Sequence, residues 1–140
     1  MATFNKFNDF VEQLATGKHI LTSGGDVLKI FLTNEAPLAA DTVKADMVEI
    51  TAQNGYTAGG IDVQNTLSES SGTATIAGTD VVFTASGGSF GPFRYAVLYN
   101  DTQTSPADAL IGWWDYGSSI SLNDTETFTV DFGASIFTIV

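Results

Sequence analysis

Beyond Gly17 the chain never runs far without a turn signal, and that segmentation rules out a fold built of long helices. Gly24-Gly25, Asn54-Gly55, Gly87-Gly88 and Asn123-Asp124 are turn pairs; such residues tolerate positive φ or bond their own backbone. Between them lie short stretches in which apolar and polar residues alternate, the period of a strand with one buried face. The clearest is 125–132, with Phe128, Val130 and Phe132 on one face and Thr127, Thr129 and Asp131 on the other. Further strands are expected at 19–22, 27–33, 60–67, 73–77, 81–85, 94–99, 109–116, 118–122 and 135–140. Leu28, Ile30 and Leu32 share one face of the second of these, which pairs across Gly24-Gly25 with the first. Residues 46–52 fit a helix or a strand equally.

The N-terminal stretch has a different period. Phe4, Phe7, Val11 and Leu14 recur at helical spacing, Phe10 widens that face, and Asn5, Asp9, Glu12 and Gln13 take the other. Gly17 stands where a C-terminal cap glycine belongs, so an amphipathic helix is expected over about 4–16, either capping the sheet or docking on a neighbouring subunit. Residues 1–140 then form a single, mainly β domain: one N-terminal helix on an antiparallel β-sandwich or jelly-roll-like barrel over about 19–140.

Charge narrows the function. The formal net charge is −11, and after Lys44 the only cation is Arg94 against eleven carboxylates. Such a surface repels phosphate backbones, so neither nucleic acid nor an anionic membrane is an expected partner. No stretch is long and apolar enough to span a bilayer, and the start, MATFNKFNDFVEQL, lacks the basic and apolar regions of a signal peptide.

Residues able to run an enzyme are scarce. The chain has no cysteine and one histidine, His19, beside which no nucleophile or orienting carboxylate is implied; its expected role is structural. Asp124 and Glu126 sit at a turn rather than in a cleft. Asn100, Asp101 and Asp108 are a conceivable calcium set, though solvated loop acids are the simpler reading. The segment 87–91, GGSFG, lacks the Lys-Ser/Thr ending of a phosphate loop and reads as a turn. No enzymatic activity, cofactor or metal is expected.

The aromatic residues carry the positive signal. The run ASGGSFGPFRYAVLYNDTQTSPADALIGWWDYG at 85–117 holds more large rings than one sheet face buries. Residues 94–99 are apolar on both faces, which marks a central strand or one covered by a partner. Trp113 and Trp114 are adjacent, so in a strand they point to opposite faces; one must meet a rim, a second core layer or a partner. Arg94 is expected to fork to a carboxylate such as Asp115 or Asp131, or to stack on a ring. Phe90, Phe93, Arg94, Trp113, Trp114 and Tyr116 therefore form the candidate interface.

Three segments, 29–60, 83–101 and 110–132, resemble a widespread group of small virion proteins of tailed bacteriophages. With the N-terminal FNKFNDFVEQLATGKH they cover nearly the whole chain. The resemblance implies a β-rich, non-enzymatic structural protein present in many copies. Among virion roles it favours a capsid decoration, or cement, protein: a homotrimer on the capsid exterior, contacting the major capsid protein, and found in the host cytoplasm during assembly. The alternatives are a tail-associated carbohydrate-binding or adhesin domain, with an exposed aromatic platform flanked by Asn, Asp or Gln, and a ring-forming tail-tube or tail-completion protein.

Overall fold

The computed structural model describes residues 2–140. Ten strands and one short helix follow in order: β1 Asn5–Lys6, α1 Phe10–Ala15, β2 Leu28–Thr33, β3 Ile61–Asp62, β4 Thr66–Ser70, β5 Thr73–Ala77, β6 Val81–Thr84, β7 Phe90–Asn100, β8 Leu110–Leu122, β9 Thr127–Val130 and β10 Phe137–Ile139. One layer is a five-stranded sheet of order β1-β8-β7-β2-β3. Facing it are a three-stranded sheet, β10-β5-β4, and a two-stranded sheet, β6-β9. All pairings among these strands are antiparallel. The fold is a mainly β, antiparallel sandwich, open along its edges rather than closed into a barrel.

Alternation along the two central strands builds two apolar layers. Leu28, Ile30 and Leu32 of β2 and Ala96 and Leu98 of β7 face the main core, where they meet Ile76, Val81, Phe83, Val130 and Phe137 of the opposite layer. Phe31, Val97 and Tyr99 point the other way and form a smaller cluster with Phe7, Met47 and Leu110. The doubly apolar pattern at 94–99 thus marks a central strand, as expected, with a second layer on its outer face.

That outer layer is covered in part by the long connection 34–60, whose one regular turn is a 3-10 helix at Lys44–Asp46: Met47 joins the outer cluster, while Ile50 and Tyr56 turn to the main core. The connection is anchored by a polar clamp. Glu49 accepts hydrogen bonds from Lys44 Nζ (2.6 Å), the Tyr56 hydroxyl (2.7 Å) and the Gly59 amide (2.7 Å). The Tyr56 hydroxyl in turn accepts from the Leu32 amide of β2 at 3.0 Å. Lys44 Nζ lies 5.0 Å from the Phe31 ring centre, so the clamp reaches into the apolar layer.

Several expectations need correction. The helix does not span 4–16 but only Phe10–Ala15. Residues 5 and 6 instead extend the large sheet, pairing Asn5 with Trp113 and Lys6 with Gly112. An open strand edge satisfies their backbone groups and competes with helix formation. Gly112 makes this possible, because a Cβ there would collide with the Phe4 ring. Residues 19–22 form no strand: Asp26 turns inward and its carboxylate accepts from the Ile20 amide, at 2.9 Å, closing a loop instead of a ladder. The strands expected at 109–116 and 118–122 are one, β8. Gly117 takes φ 101° and donates to the Asp115 carboxylate, which bends the strand without ending it. Residues 46–52 become neither long helix nor strand; they run beside β2, where the Ile50 amide donates to the Leu32 carbonyl at 3.1 Å and Thr33 Oγ1 to the Val48 carbonyl at 2.6 Å.

Candidate functional site

The expected interface divides into interior and surface residues. Phe90 and Phe93 are 1% and 0% exposed. Phe90 packs on Tyr56 at 5.6 Å between ring centres and Phe93 edge-on to Phe128 at 4.9 Å. They are core residues and offer nothing to a partner, which corrects their place in the candidate interface. Bulges between Phe90 and Tyr95 shift the β7–β8 register and turn these rings inward. Trp113 packs at 4.6 Å on Phe7 in the outer apolar layer. Trp114 points oppositely, to the main core, as adjacency in a strand requires.

Arg94, Trp114 and Tyr116 do come together. With Phe128 and Thr129 of β9 and Asp131 just beyond it they line a pocket of about 190 Å³ between the large sheet and the 128–131 segment. Trp114 and Phe128 are half-buried and Tyr116 is 54% exposed. The Tyr116 and Phe128 rings meet at 5.4 Å and 72°. Arg94 forks onto Asp115, Nε donating to Oδ1 at 2.8 Å and Nη2 to Oδ2 at 3.0 Å. That fork holds the Asp115 carboxyl below the usual carboxylate range and raises Arg94 further. The guanidinium also lies 5.4 Å from the Tyr95 ring centre. Of the two carboxylates expected for Arg94, Asp115 is the partner. Asp131 is not; it accepts from the Gly133 amide at 2.8 Å.

A second concavity was not anticipated. A groove of about 520 Å³ runs between α1 and β10, lined by Phe4, Val11, Leu14, Ile139 and Val140 among others. Val11 and Val140 are 51% and 100% exposed. β1 and β10 each end a sheet here, so both present an unpaired edge.

The remaining polar candidates serve the fold. His19 is buried; its Nδ1 faces Asn100 Nδ2 at 3.1 Å and its Nε2 has no partner among the described residues. Burial pushes its pKa down, against the opposing pull of Asp26 and Asp9. Asn100 Nδ2 also donates to Asp26 at 2.7 Å, joining the 18–27 loop to the end of β7. Asp101 pairs with Lys29 at 3.0 Å. Asp108 is pushed up by burial and by Asp101. Among the described residues no group of three or more His, Cys, Asp or Glu side chains is placed to hold a metal ion. Asp124 accepts from the Gly87 amide at 2.9 Å, and Glu126 from the Asn123 amide at 2.7 Å, so these acids and the 87–91 loop hold one another in turns. No helix among the described residues is long and apolar enough to cross a membrane.

Phe128, Thr129 and Asp131 were missed as site residues because alternation reveals which face a residue takes, not which distant strand it meets. The groove was missed because the helical pattern at 4–16 assigned Phe4, Val11 and Leu14 to one buried stripe. The architecture defines the chain as an antiparallel β-sandwich with a short helix across one end. No family model, curated protein or solved structure matches it.

Proposed function

We propose that the chain is a non-enzymatic structural protein of a tailed-bacteriophage virion, a decoration or cement protein that acts as a homotrimer on the outside of the shell. The observation that supports this most is the groove between α1 and β10. It leaves Val11 and Val140 exposed between two unpaired strand edges. A second copy covers such a surface, and a contact repeated around a three-fold axis closes without leaving a sticky face. The polar clusters described above are engaged in turns, loops and the Glu49 clamp, a structural use of such groups that fits this reading. The acidic surface suits a position outside the shell, away from packaged nucleic acid.

Light scattering on the purified chain tests the oligomer. The expected mass is three times the chain mass of 14.8 kDa, falling to one chain when Val11→Asp is combined with removal of Val140. Both positions are exposed, so the variant keeps its fold. A monomeric native chain removes the support for this reading, and a hexameric ring favours a tail-tube protein.

A further inference from the structure

We propose that His19 is an acid-operated latch: the neutral ring ties the 18–27 loop to the end of β7, and a proton on its Nδ1 releases that loop while the sandwich stays folded. This does not rest on the oligomer or on the virion role.

The hydrogen bonds of Asn100 fix the state of the ring. Asn100 is wholly buried. Its Oδ1 accepts from the Thr102 amide at 3.0 Å and the Gln103 amide at 3.3 Å. Its Nδ2 donates to Asp26 Oδ2 at 2.7 Å. These three partners settle which end of the side chain is nitrogen, and that nitrogen lies 3.1 Å from His19 Nδ1. The Lys18 carbonyl stands farther off, at 3.5 Å. An amide nitrogen only donates, so Nδ1 accepts and the neutral ring carries its one proton on Nε2. Nε2 is itself buried with no partner among the described residues. The ring also packs on Phe10 at 5.0 Å, so the latch joins the helix, the loop and β7.

A proton on Nδ1 breaks this arrangement. It sets N–H against N–H, and the bond to Asn100 is lost. Turning the Asn100 amide over restores nothing: Oδ1 then faces the Asp26 carboxylate, and the Thr102 and Gln103 amides lose their acceptor. The charged groups that face the ring are two carboxylates, Asp26 from its own loop and Asp9 from the start of α1; β7 brings only the neutral Asn100. The Asp26 oxygen in this network, Oδ2, already accepts from the Ile20 amide at 2.9 Å, from Asn100 and from Gln103 Nε2 at 3.2 Å. It takes up a ring N–H only by giving up one of these. Burial outweighs the pull of both acids and holds the ring below its ordinary pKa of 6.5.

The loop is built to open alone. Residues 18–27 belong to no helix or strand, and segments held by few contacts open at a lower free energy than the whole domain. Besides the Asn100 bonds, its polar ties to the sheets are Asn65 Nδ2 to the Leu21 carbonyl at 2.8 Å, the Val27 amide to Thr102 Oγ1 at 2.8 Å and the Asp101 amide to the Val27 carbonyl at 2.9 Å. Two of these three lie at its last residue.

Two measurements on the full chain test this. Long-range proton–nitrogen NMR reads the tautomer of His19 near neutral pH, where the proton is expected on Nε2. Native-state hydrogen exchange reads the opening of the loop at the Ile20 and Asp26 amides, which are bonded within it, with the amides of the central strand β7 as reference. The released ring has the ordinary pKa of 6.5 and the latched ring resists the proton. The opening constant should therefore rise about tenfold between pH about 7.5 and about 5.5. That opening should depend little on urea, whereas exchange in β7 follows global unfolding. His19→Gln offers Asn100 an acceptor that takes no proton, so its opening constant should not change with pH. The proposal is overturned by a neutral ring protonated on Nδ1, by an opening constant that is flat in the native chain or rises as steeply in His19→Gln, or by loop amides that open only together with β7 and with its urea dependence. If His19→Gln does not fold, the tautomer and the native chain's exchange profile decide.

Discussion

Replacing Phe137 by alanine should remove a large part of the stability of the domain. Phe137 is 8% exposed in the short strand β10. Its ring stacks on Phe4 at 5.1 Å and 5° and stands edge-on to Phe10 at 5.5 Å and 90°. It therefore joins three otherwise separate pieces: the N-terminal segment, the helix, and the sheet in which it pairs with Ile76. Truncating a buried phenylalanine costs about 3–5 kcal/mol through lost burial and the cavity left behind. A domain holds only about 5–15 kcal/mol in total. For a chain of this length the loss corresponds to a fall in melting temperature on the order of 10–20 °C. Urea and thermal unfolding followed by circular dichroism measure it. Thr138, exposed on the same strand, is the control; Thr138→Ala should stay within about 0.5 kcal/mol of the parent. Deleting the wholly exposed Val140 should likewise leave the monomer's stability unchanged while weakening self-association. If Phe137→Ala unfolds with the parent's midpoint, β10 is not part of the core and the sandwich is wrongly closed.

Three further outcomes follow from particular contacts. Gly112→Ala should cost about 1–3 kcal/mol by overpacking the Phe4 ring, and less than additively when combined with Phe4→Ala; additive unfolding free energies would contradict the contact. His19 has a folded pKa lowered from 6.5 by burial, so below 6.5 the unfolded chain takes up a proton that the folded chain resists. Stability should then decline as pH falls from about 7 to about 5, and His19→Gln should flatten that decline in urea midpoints; the Asp26 carboxyl, which burial pushes up but hydrogen bonds from Asn100, the Ile20 amide and Gln103 pull below 3.8, contributes only at lower pH. The chain should not bind duplex DNA at physiological salt, given eleven carboxylates to one cation beyond Lys44; saturable retention in a gel-shift assay would refute this.

Local patterns in the sequence were legible and long-range meetings were not. Alternation placed Phe128 and Val130 on one face of β9, and adjacency placed Trp113 and Trp114 on opposite faces of β8. The turn pairs at Asn54-Gly55, Gly87-Gly88 and Asn123-Asp124 all fall between strands. The same local rules misread Phe4 and Phe7, whose helical spacing is real. The edge of β8 offered residues 5 and 6 a sheet partner more than a hundred residues away. Gly117 read as a break because glycine is a turn signal, while the bond from its amide to the Asp115 carboxylate, which carries the strand through the bend, is not visible in the sequence. The 34–60 connection has no period, since the Lys44–Glu49–Tyr56 clamp and scattered backbone bonds to its neighbours hold it instead of a continuous ladder. Of the expected interface, Arg94, Trp114 and Tyr116 reach the surface pocket. Phe90 and Phe93 do not, because the bulges that turn them inward leave no mark in residue type.

The role proposed for the chain is tested most directly by electron cryomicroscopy of tailed-phage particles assembled with and without it. The account predicts density for this sandwich on the outer surface of the shell, in three-fold clusters, with the α1–β10 groove buried between copies. Density along the tail tube, or particles assembled with the chain that carry no density for it, would contradict it.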